Sequence, residues 1–392
     1  MALIPAPTNL QRPRPHAAVS RRARTRGCRH TEVACKPAVV ARTLIKTPVR
    51  RTSTARGPQT LNLEGSGVWL IVPCYKVRDH ILRVIEKTPA WFEGIVCVDD
   101  ACPEGSGDFI EAATPDPRVV VIRLAKNQGV GGATLAGYAE AVRRGGRVLV
   151  KVDGDDQMDL AYAAQLVAPI LLGEADYAKG NRFTSISHLT TMPTVRVLGN
   201  ALLSFAAKLS TGYWNIFDPT NGYTAIEANV ARQVMAKRIS RRFFFETDLL
   251  YHLGTLRAVV RDVPMPARYA DEVSNIRIGQ IVGPFALQHA RNLAQRVLGQ
   301  YFVRDFNAAS LEFVFGLFFL LFGGAYGLSY FASRIPDQAA SAGVVMLAAL
   351  PVILGVQFLL QAVNFDVLNV PSRPIHPYLA VLRDLESEEP ET

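Results

Sequence analysis

Val148-Leu149-Val150-Lys151-Val152-Asp153-Gly154-Asp155-Asp156-Gln157-Met158-Asp159 sets a short apolar run directly before an acidic heptapeptide. A strand that ends in carboxylates spaced two apart can aim both at one point, as a hard divalent cation carrying a diphosphate requires. On that reading the segment is the metal site of a nucleotide-sugar enzyme. The same seven residues also fit a solvated acidic turn, because Asp-Gly is a common turn dipeptide.

Around this stretch, short β-rich runs alternate with helical patterns from Val68 to about Arg268. The runs fall at 68–72, 94–98, 119–124, 148–152, 177–179 and 258–263, and the first four are apolar enough for burial on both faces. This alternation predicts βαβ units and a largely parallel sheet. Ligands of such sheets bind beyond the carboxyl ends of the strands. Three polar clusters fall there: Pro73-Cys74-Tyr75, Asp99-Asp100 and the acidic heptapeptide. Their recurrence at equivalent strand ends favours a shared ligand site over an accidental turn.

Charge is unevenly distributed. The net +9 arises from residues 1–60, which hold 13 Lys/Arg and one acid, Glu32, whereas residues 61–392 hold 30 Lys/Arg against 33 Asp/Glu. Basicity therefore belongs to the leader, and no nucleic-acid partner is expected for the rest. The leader, 1–62, lacks a sustained apolar period and reads as a disordered basic segment. Its composition also suits an organellar transit peptide or translation from an upstream start codon. Cys28, Cys35, Cys74, Cys97 and Cys102 form no Cys-x-x-Cys pair, which fits a reduced, cytoplasm-facing protein.

The last third has a different character. Residues 313–331 and 339–363 are uncharged runs of 19 and 25 residues. A hydrocarbon core of about 30 Å needs about 20 helical residues, so the pair is read as a membrane hairpin, with a buried soluble hairpin as the alternative. Arg291, Arg296 and Arg304 precede it and Arg373 and Arg383 follow, while the connector has only Arg334, beside Asp337. Positive flanks place the catalytic region and tail together on the cytoplasmic side.

Five stretches then occur in order: Val72-Pro73-Cys74-Tyr75; Val98-Asp99-Asp100 with Pro103 and Gly105; Asp153-Gly154-Asp155-Asp156-Gln157; Gly180-Asn181-Arg182-Phe183; and Asp218-Pro219-Thr220-Asn221-Gly222-Tyr223. Together they resemble family-2 glycosyltransferases of the nucleotide-binding GT-A fold, in the dolichol-phosphate mannose synthase-like branch. The hairpin resembles that of the subtype with transmembrane helices after the catalytic domain. The implied architecture is α/β: a Rossmann-like, mostly parallel GT-A domain at 63–280, a juxtamembrane amphipathic helix at 281–310, a two-helix transmembrane hairpin at 311–364 and a cytoplasmic tail at 365–392.

The resemblance implies inverting transfer of a sugar from a GDP- or UDP-sugar to a polyprenyl (dolichyl or undecaprenyl) phosphate at the cytoplasmic membrane face. Asp155 matches a direct ligand of Mg2+ or Mn2+, Asp153 the first carboxylate of the Asp-x-Asp pair, and Gln157 a residue that supports the same site. Such a metal neutralises charge on the departing diphosphate without protonating it. Asp100 matches a nucleoside-contacting position, with Pro73, Tyr75 and Val98 completing that wall; its carboxylate can accept from base N–H or ribose hydroxyls. Asp99 is open between a cap and a direct contact. Relatives often have Pro-Thr-Tyr-Asn-Glu where this chain has Pro73-Cys74-Tyr75-Lys76-Val77, which leaves the base open between guanine and uracil. Arg182, Arg196 and Asn200 align with positions around the phosphates, where guanidinium offers a permanently charged planar fork. Arg268 and Arg277 flank a loop that departs from the relatives' pattern, and either is a further phosphate contact.

The segment Phe243-Phe244-Phe245-Glu246-Thr247-Asp248 resembles an acidic motif near the acceptor. A phosphate acceptor is already anionic, so Asp248 is expected to position rather than deprotonate, with Glu246 as the second choice. Asn127-Gln128-Gly129-Val130-Gly131-Gly132 opens a helix and is read either as a donor-side contact or as a tight turn. Helical periodicity at 195–209 and 281–303 fits interfacial helices at the bilayer or helices packed on the core. A processive polysaccharide synthase is disfavoured, since no Gln-x-x-Arg-Trp accompanies Trp69, Trp91 or Trp214. Transfer to a protein or small-molecule acceptor leaves the hairpin without a mechanistic role. A non-catalytic membrane scaffold or flippase accessory with a decayed transferase domain is the alternative of a different class, and the intact Asp153, Asp155 and Gln157 argue against such decay.

Overall fold

The computed structural model describes residues 62–183, 194–266, 278–333 and 339–388, with backbone alone for 194–197, 278–281 and 386–388. The basic leader up to Leu61 lies outside the described residues. Seven strands form one sheet in the order β3-β2-β1-β4-β6-β5-β7. They are β1 Val68–Cys74, β2 Gly94–Asp99, β3 Val119–Arg123, β4 Val148–Lys151, β5 Tyr177–Asn181, β6 Thr224–Glu227 and β7 Val260–Pro264. Strands β1 to β4 are parallel, as are β5 and β7, whereas β6 runs antiparallel to both of its neighbours. All six expected strands are present. The additional β6 is four residues long, too short for a pattern, and it is held by pairing with β4 and β5.

Side chains alternate between two cores, as a pleated strand with both faces covered requires. Val68, Leu70 and Val72 join Val148 and Val150 in one core, beneath the helices α1 Ile81–Glu86, α2 Ser106–Ala113 and α4 Ala163–Leu171. Trp69, Ile71, Val96, Val98 and Leu149 enter the other, beneath α3 Gly129–Arg143, α6 Ala228–Met235 and α7 Phe245–Leu256. Strand β3 departs from the expected double burial. It forms the sheet edge, so Val119 to Ile122 are only half-buried.

Helices α5 Thr194–Thr211 and α8 Ile278–Leu298 invert the pattern of a soluble surface helix. Small and polar residues face inward: Ser204, Ala207, Ser210 and Thr211 on α5, and His289, Asn292 and Arg296 on α8. The Ser210 hydroxyl lies 2.8 Å from the His289 Nδ1. Large apolar side chains face outward: Leu198, Leu202 and Phe205 on α5, Val282, Leu287 and Leu298 on α8. Core packing of the apolar stripe at 195–209 is thereby set aside, and the outward stripe suits an apolar surrounding.

Two long helices follow, α9 Ala308–Ser333 and α10 Ala342–Leu368, each long and apolar enough to cross a membrane. They pack through small residues, as helices do where lipid removes the hydrophobic drive. A Cβ on Gly355 would fall 2.6 Å from the Leu320 backbone N and 2.9 Å from the Gly316 carbonyl O. Backbone cannot yield as a flexible side chain can. Gly355→Leu is therefore expected to cost about 1–3 kcal/mol by overpacking. An unchanged thermal transition in detergent would contradict this contact.

The hairpin is tied to α5, α8 and the segments that follow them by a buried polar clamp. Asp366, near the end of α10, accepts from the Arg296 guanidinium at 2.7 and 3.0 Å, from the Trp214 indole N–H at 2.7 Å and from the Tyr301 hydroxyl. Arg296 also donates to the Leu209 carbonyl at 2.7 and 3.1 Å, which joins α5, α8 and α10 at one point. Past the clamp, the expected tail returns to the catalytic domain. Asp176, fully buried, accepts the backbone N–H groups of Ile375 and His376 and faces the His376 Nδ1 at 2.8 Å. This fixes the start of α11, His376–Glu388, where an acidic group complements the helix dipole.

Candidate functional site

The carboxyl ends of β1, β2 and β4 open into a cleft of about 490 Å³. Parallel register sets its floor: Cys74 pairs with Asp99 and Ile71 with Lys151, which brings Pro73, Tyr75, Asp100 and Asp153 to one edge of the sheet. Asp155 lines the same cleft, together with Arg242 and Phe243. The structure thus brings together five of the expected residues, Pro73, Tyr75, Asp100, Asp153 and Asp155.

The acidic heptapeptide divides its labour. Asp153 is held at 2.7 Å by the Lys151 ammonium, which is almost fully buried and lies 3.4 Å from Glu246. Burial alone would lower the Lys151 pKa, but the facing carboxylates of Asp153 and Glu246 outweigh it and hold the ammonium above its ordinary value. Asp155 Oδ1 accepts the Gln157 N–H at 3.1 Å, which fixes the turn around that carboxylate. Asp156 points away, pairing with Arg83 and Lys87 on and beside α1. Asp159 caps the short 3-10 turn at Leu160–Tyr162 by accepting the Ala161 N–H. Two carboxylates on one cleft wall fit a magnesium- or manganese-type centre completed by substrate phosphate and water. Gln157 is not among the lining residues, and its backbone N–H holds the Asp155 carboxylate.

The β2 end resolves the two adjacent aspartates. Asp99 is a cap: its oxygens accept the N–H groups of Cys102 at 2.7 Å and Gly107 at 2.6 Å. Asp100 accepts from the N–H groups of Gln128 at 2.6 Å and Gly129 at 2.8 Å while still lining the cleft. Beyond Val130, the amides of Gly131 and Gly132 donate to the Arg241 carbonyl. Four amides of the glycine-rich turn are thereby paired inside the protein, while Asn127, Gly129 and Val130 line the cleft.

Val98, Arg182, Asn200 and Asp248 are not among the described lining residues. Val98 is wholly buried in the core beneath α3, since its parity in β2 directs it away from the strand end. Arg182 forms a two-point ion pair with the buried Asp218, at 2.8 and 3.1 Å. Asn200 is half-buried on α5. Arg196 belongs to α5 by its backbone alone, and Arg268 and Arg277 lie outside the described residues. Asp248 is a buried strut, accepting the Ser240 N–H at 2.7 Å and the Asn292 amide at 2.9 Å, so it joins α7 to α8. Of the acidic pair in that segment, Glu246 approaches the centre through Lys151. Sequence reasoning missed Lys151 and Arg242; a lysine inside a buried strand two residues before the first carboxylate was the available signal for Lys151.

Near the β5 end, Asn181 donates to Asp262 on β7 at 2.6 Å and accepts the Phe183 N–H at 2.8 Å. The other oxygen of Asp262 is buried without a partner among the described residues. Burial pushes this carboxyl up to about 6. The native state then holds a proton more tightly than the unfolded chain, where Asp titrates near pH 4. The stability from this group is full below about pH 4 and is lost as pH rises through about 6. Thermal unfolding of Asp262→Asn relative to wild type should therefore improve as pH rises from about 4 to about 6. A difference that does not change with pH would contradict the buried carboxylate.

Comparison with known proteins gives the cleft its context. The profile of glycosyl transferase family 2 matches residues 69–235. Undecaprenyl-phosphate mannosyltransferase of Micrococcus luteus is 30% identical over 204 residues, covering 50% of this chain and 82% of that protein. A UDP-N-acetylglucosamine–dolichyl-phosphate N-acetylglucosaminyltransferase of Methanococcus voltae is 23% identical, covering 54% and 91% respectively. Among solved structures, glucosyl-3-phosphoglycerate synthase from Mycobacterium tuberculosis, crystallised with Mn2+ and UDP, is similar over 62% of this chain and 86% of that one. The TM-score is 0.45 and the sequence identity 17%. With its β-strand ends, acidic turn and profile match coinciding, the chain belongs to glycosyl transferase family 2 and carries a GT-A catalytic domain.

Proposed function

We propose that the protein transfers a sugar, with inversion, from a GDP- or UDP-sugar to a polyprenyl phosphate at the cytoplasmic face of a membrane. The observation that carries this reading is the convergence of Asp153 and Asp155 on one cleft in a chain that also bears two membrane-length helices. The two relatives named above are, by their names, transferases to undecaprenyl and dolichyl phosphate, which supports a prenyl acceptor. The outward apolar stripes of α5 and α8 support approach of such a lipid along the membrane surface.

In this reading Asp153 and Asp155 hold Mg2+ or Mn2+, with Gln157 supporting the turn. Bound there, the metal supplies charge neutralisation for the departing nucleoside diphosphate. Lys151 orients Asp153 from beneath. Tyr75, 45% exposed at the cleft, offers a ring face to the base, and Pro73 and Asp100 form the wall beside it. Arg182, Arg196, Asn200 and Arg268 serve the phosphates, and Asp248 positions the acceptor side through α8. The acceptor phosphate is already anionic at neutral pH and needs no general base. Its oxygen attacks the anomeric carbon opposite the leaving diphosphate, which inverts that centre.

Acceptor choice tests the proposal. Purified protein with Mn2+ and a panel of labelled GDP- and UDP-sugars should place label in the organic phase when polyprenyl phosphate is present. Preferential labelling of a soluble acceptor would remove the lipid from the assignment.

A further inference from the structure

Asp79, Asp100, Asp153 and Asp155 line the cleft together with the basic side chains of Lys76, His80 and Arg242, so a diphosphate entering it needs a fixed cation as well as a divalent one to offset the carboxylates. Arg242 lines the cleft, is exposed, and has no carboxylate partner among the described residues.

Its place is fixed by the glycine-rich turn. The Arg241 carbonyl accepts the Gly131 N–H at 2.9 Å and the Gly132 N–H at 3.3 Å, while the Arg242 carbonyl accepts the Phe245 N–H at 2.9 Å, where α7 begins. Gly129, at φ +83°, makes room for this chain: a Cβ there would fall 2.6 Å from the Arg241 carbonyl O and 3.0 Å from the Arg242 Cγ. The 127–132 turn therefore acts as a seat for an arginine arm.

We propose that Arg242 binds the diphosphate of the nucleotide donor, in the cleft it lines with Asp153 and Asp155, and that the 127–132 turn exists to hold it there. The assignment rests on the nucleotide-sugar reading above. Guanidinium suits the task because its planar fork stays charged and pairs with two phosphate oxygens at once.

Isothermal titration of the full-length protein in detergent, with Mn2+, compares UDP with UMP and GDP with GMP. For whichever base the wild type accepts, Arg242→Ala is expected to cut the preference for diphosphate over monophosphate by about tenfold, with Arg242→Lys recovering part of it. The thermal transition should not move, since the side chain is exposed. An unchanged preference in Arg242→Ala overturns the assignment, and if Asp155→Asn still loses metal-dependent diphosphate binding, the nucleotide-sugar reading stands without it. Failure of the wild type to bind either diphosphate overturns both.

Discussion

Asp155→Asn is expected to lower sugar transfer by at least about 10²- to 10³-fold, the scale seen when a preorganised group stabilising transition-state charge is removed. Asp155 lines the cleft, and its Oδ1 is already aimed by the Gln157 N–H, so the substitution removes charge without moving the turn. Two residues are needed to show that the loss is local. Asp156→Asn, one position along, breaks only an outward pairing with Arg83 and Lys87 and should leave transfer within about threefold of wild type, as exposed ion pairs contribute little. Radiometric turnover of both variants reads the contrast directly. Equal losses would mean that the heptapeptide acts as a structural turn.

The second large effect is predicted at the junction between the hairpin and α8. Asp366→Ala strips the buried Arg296 guanidinium, only 4% exposed as a residue, of its carboxylate and leaves the Trp214 and Tyr301 donors without an acceptor. Breaking one side of a buried pair in this way typically costs about 3–5 kcal/mol. Replacing both partners, Arg296→Met with Asp366→Leu, should recover much of that loss, because no uncompensated charge remains. Thermal unfolding in detergent measures all three variants. Equal destabilisation by the single and double changes would show that packing, and not the ion pair, holds the joint.

Much of this fold is legible in the sequence because buried parallel strands are uninterrupted apolar runs. Val148 to Val150 and Val68 to Val72 need no partner to announce themselves, and the register of β1 with β2 and β4 then aligns their polar ends. Strand β6 is different: Thr224–Glu227 becomes a strand only through β4 and β5, which are remote in the chain. The site divides along the same line. Asp153 and Asp155 follow a strand and are read locally, whereas Asp99 and Asp100, adjacent and chemically identical, part company through the amides that each one meets. Arg242 has no local signature at all. It reaches the cleft because the carbonyl of its neighbour caps a helix more than a hundred residues earlier. Periodicity likewise identifies an apolar stripe on α5 but not its direction, which is set by Ser204, Ala207 and Ser210 packing inward.

Lipid-linked product is the most direct measure of the central claim. Wild type and Asp155→Asn, reconstituted in liposomes containing polyprenyl phosphate, are incubated with Mn2+ and each GDP- or UDP-sugar, and the lipid extract is analysed by mass spectrometry. The account predicts polyprenyl-phosphate-linked sugar from wild type with at least one donor and almost none from the variant. No lipid-linked product from wild type with any donor would contradict it and would leave a membrane scaffold with a transferase-like domain.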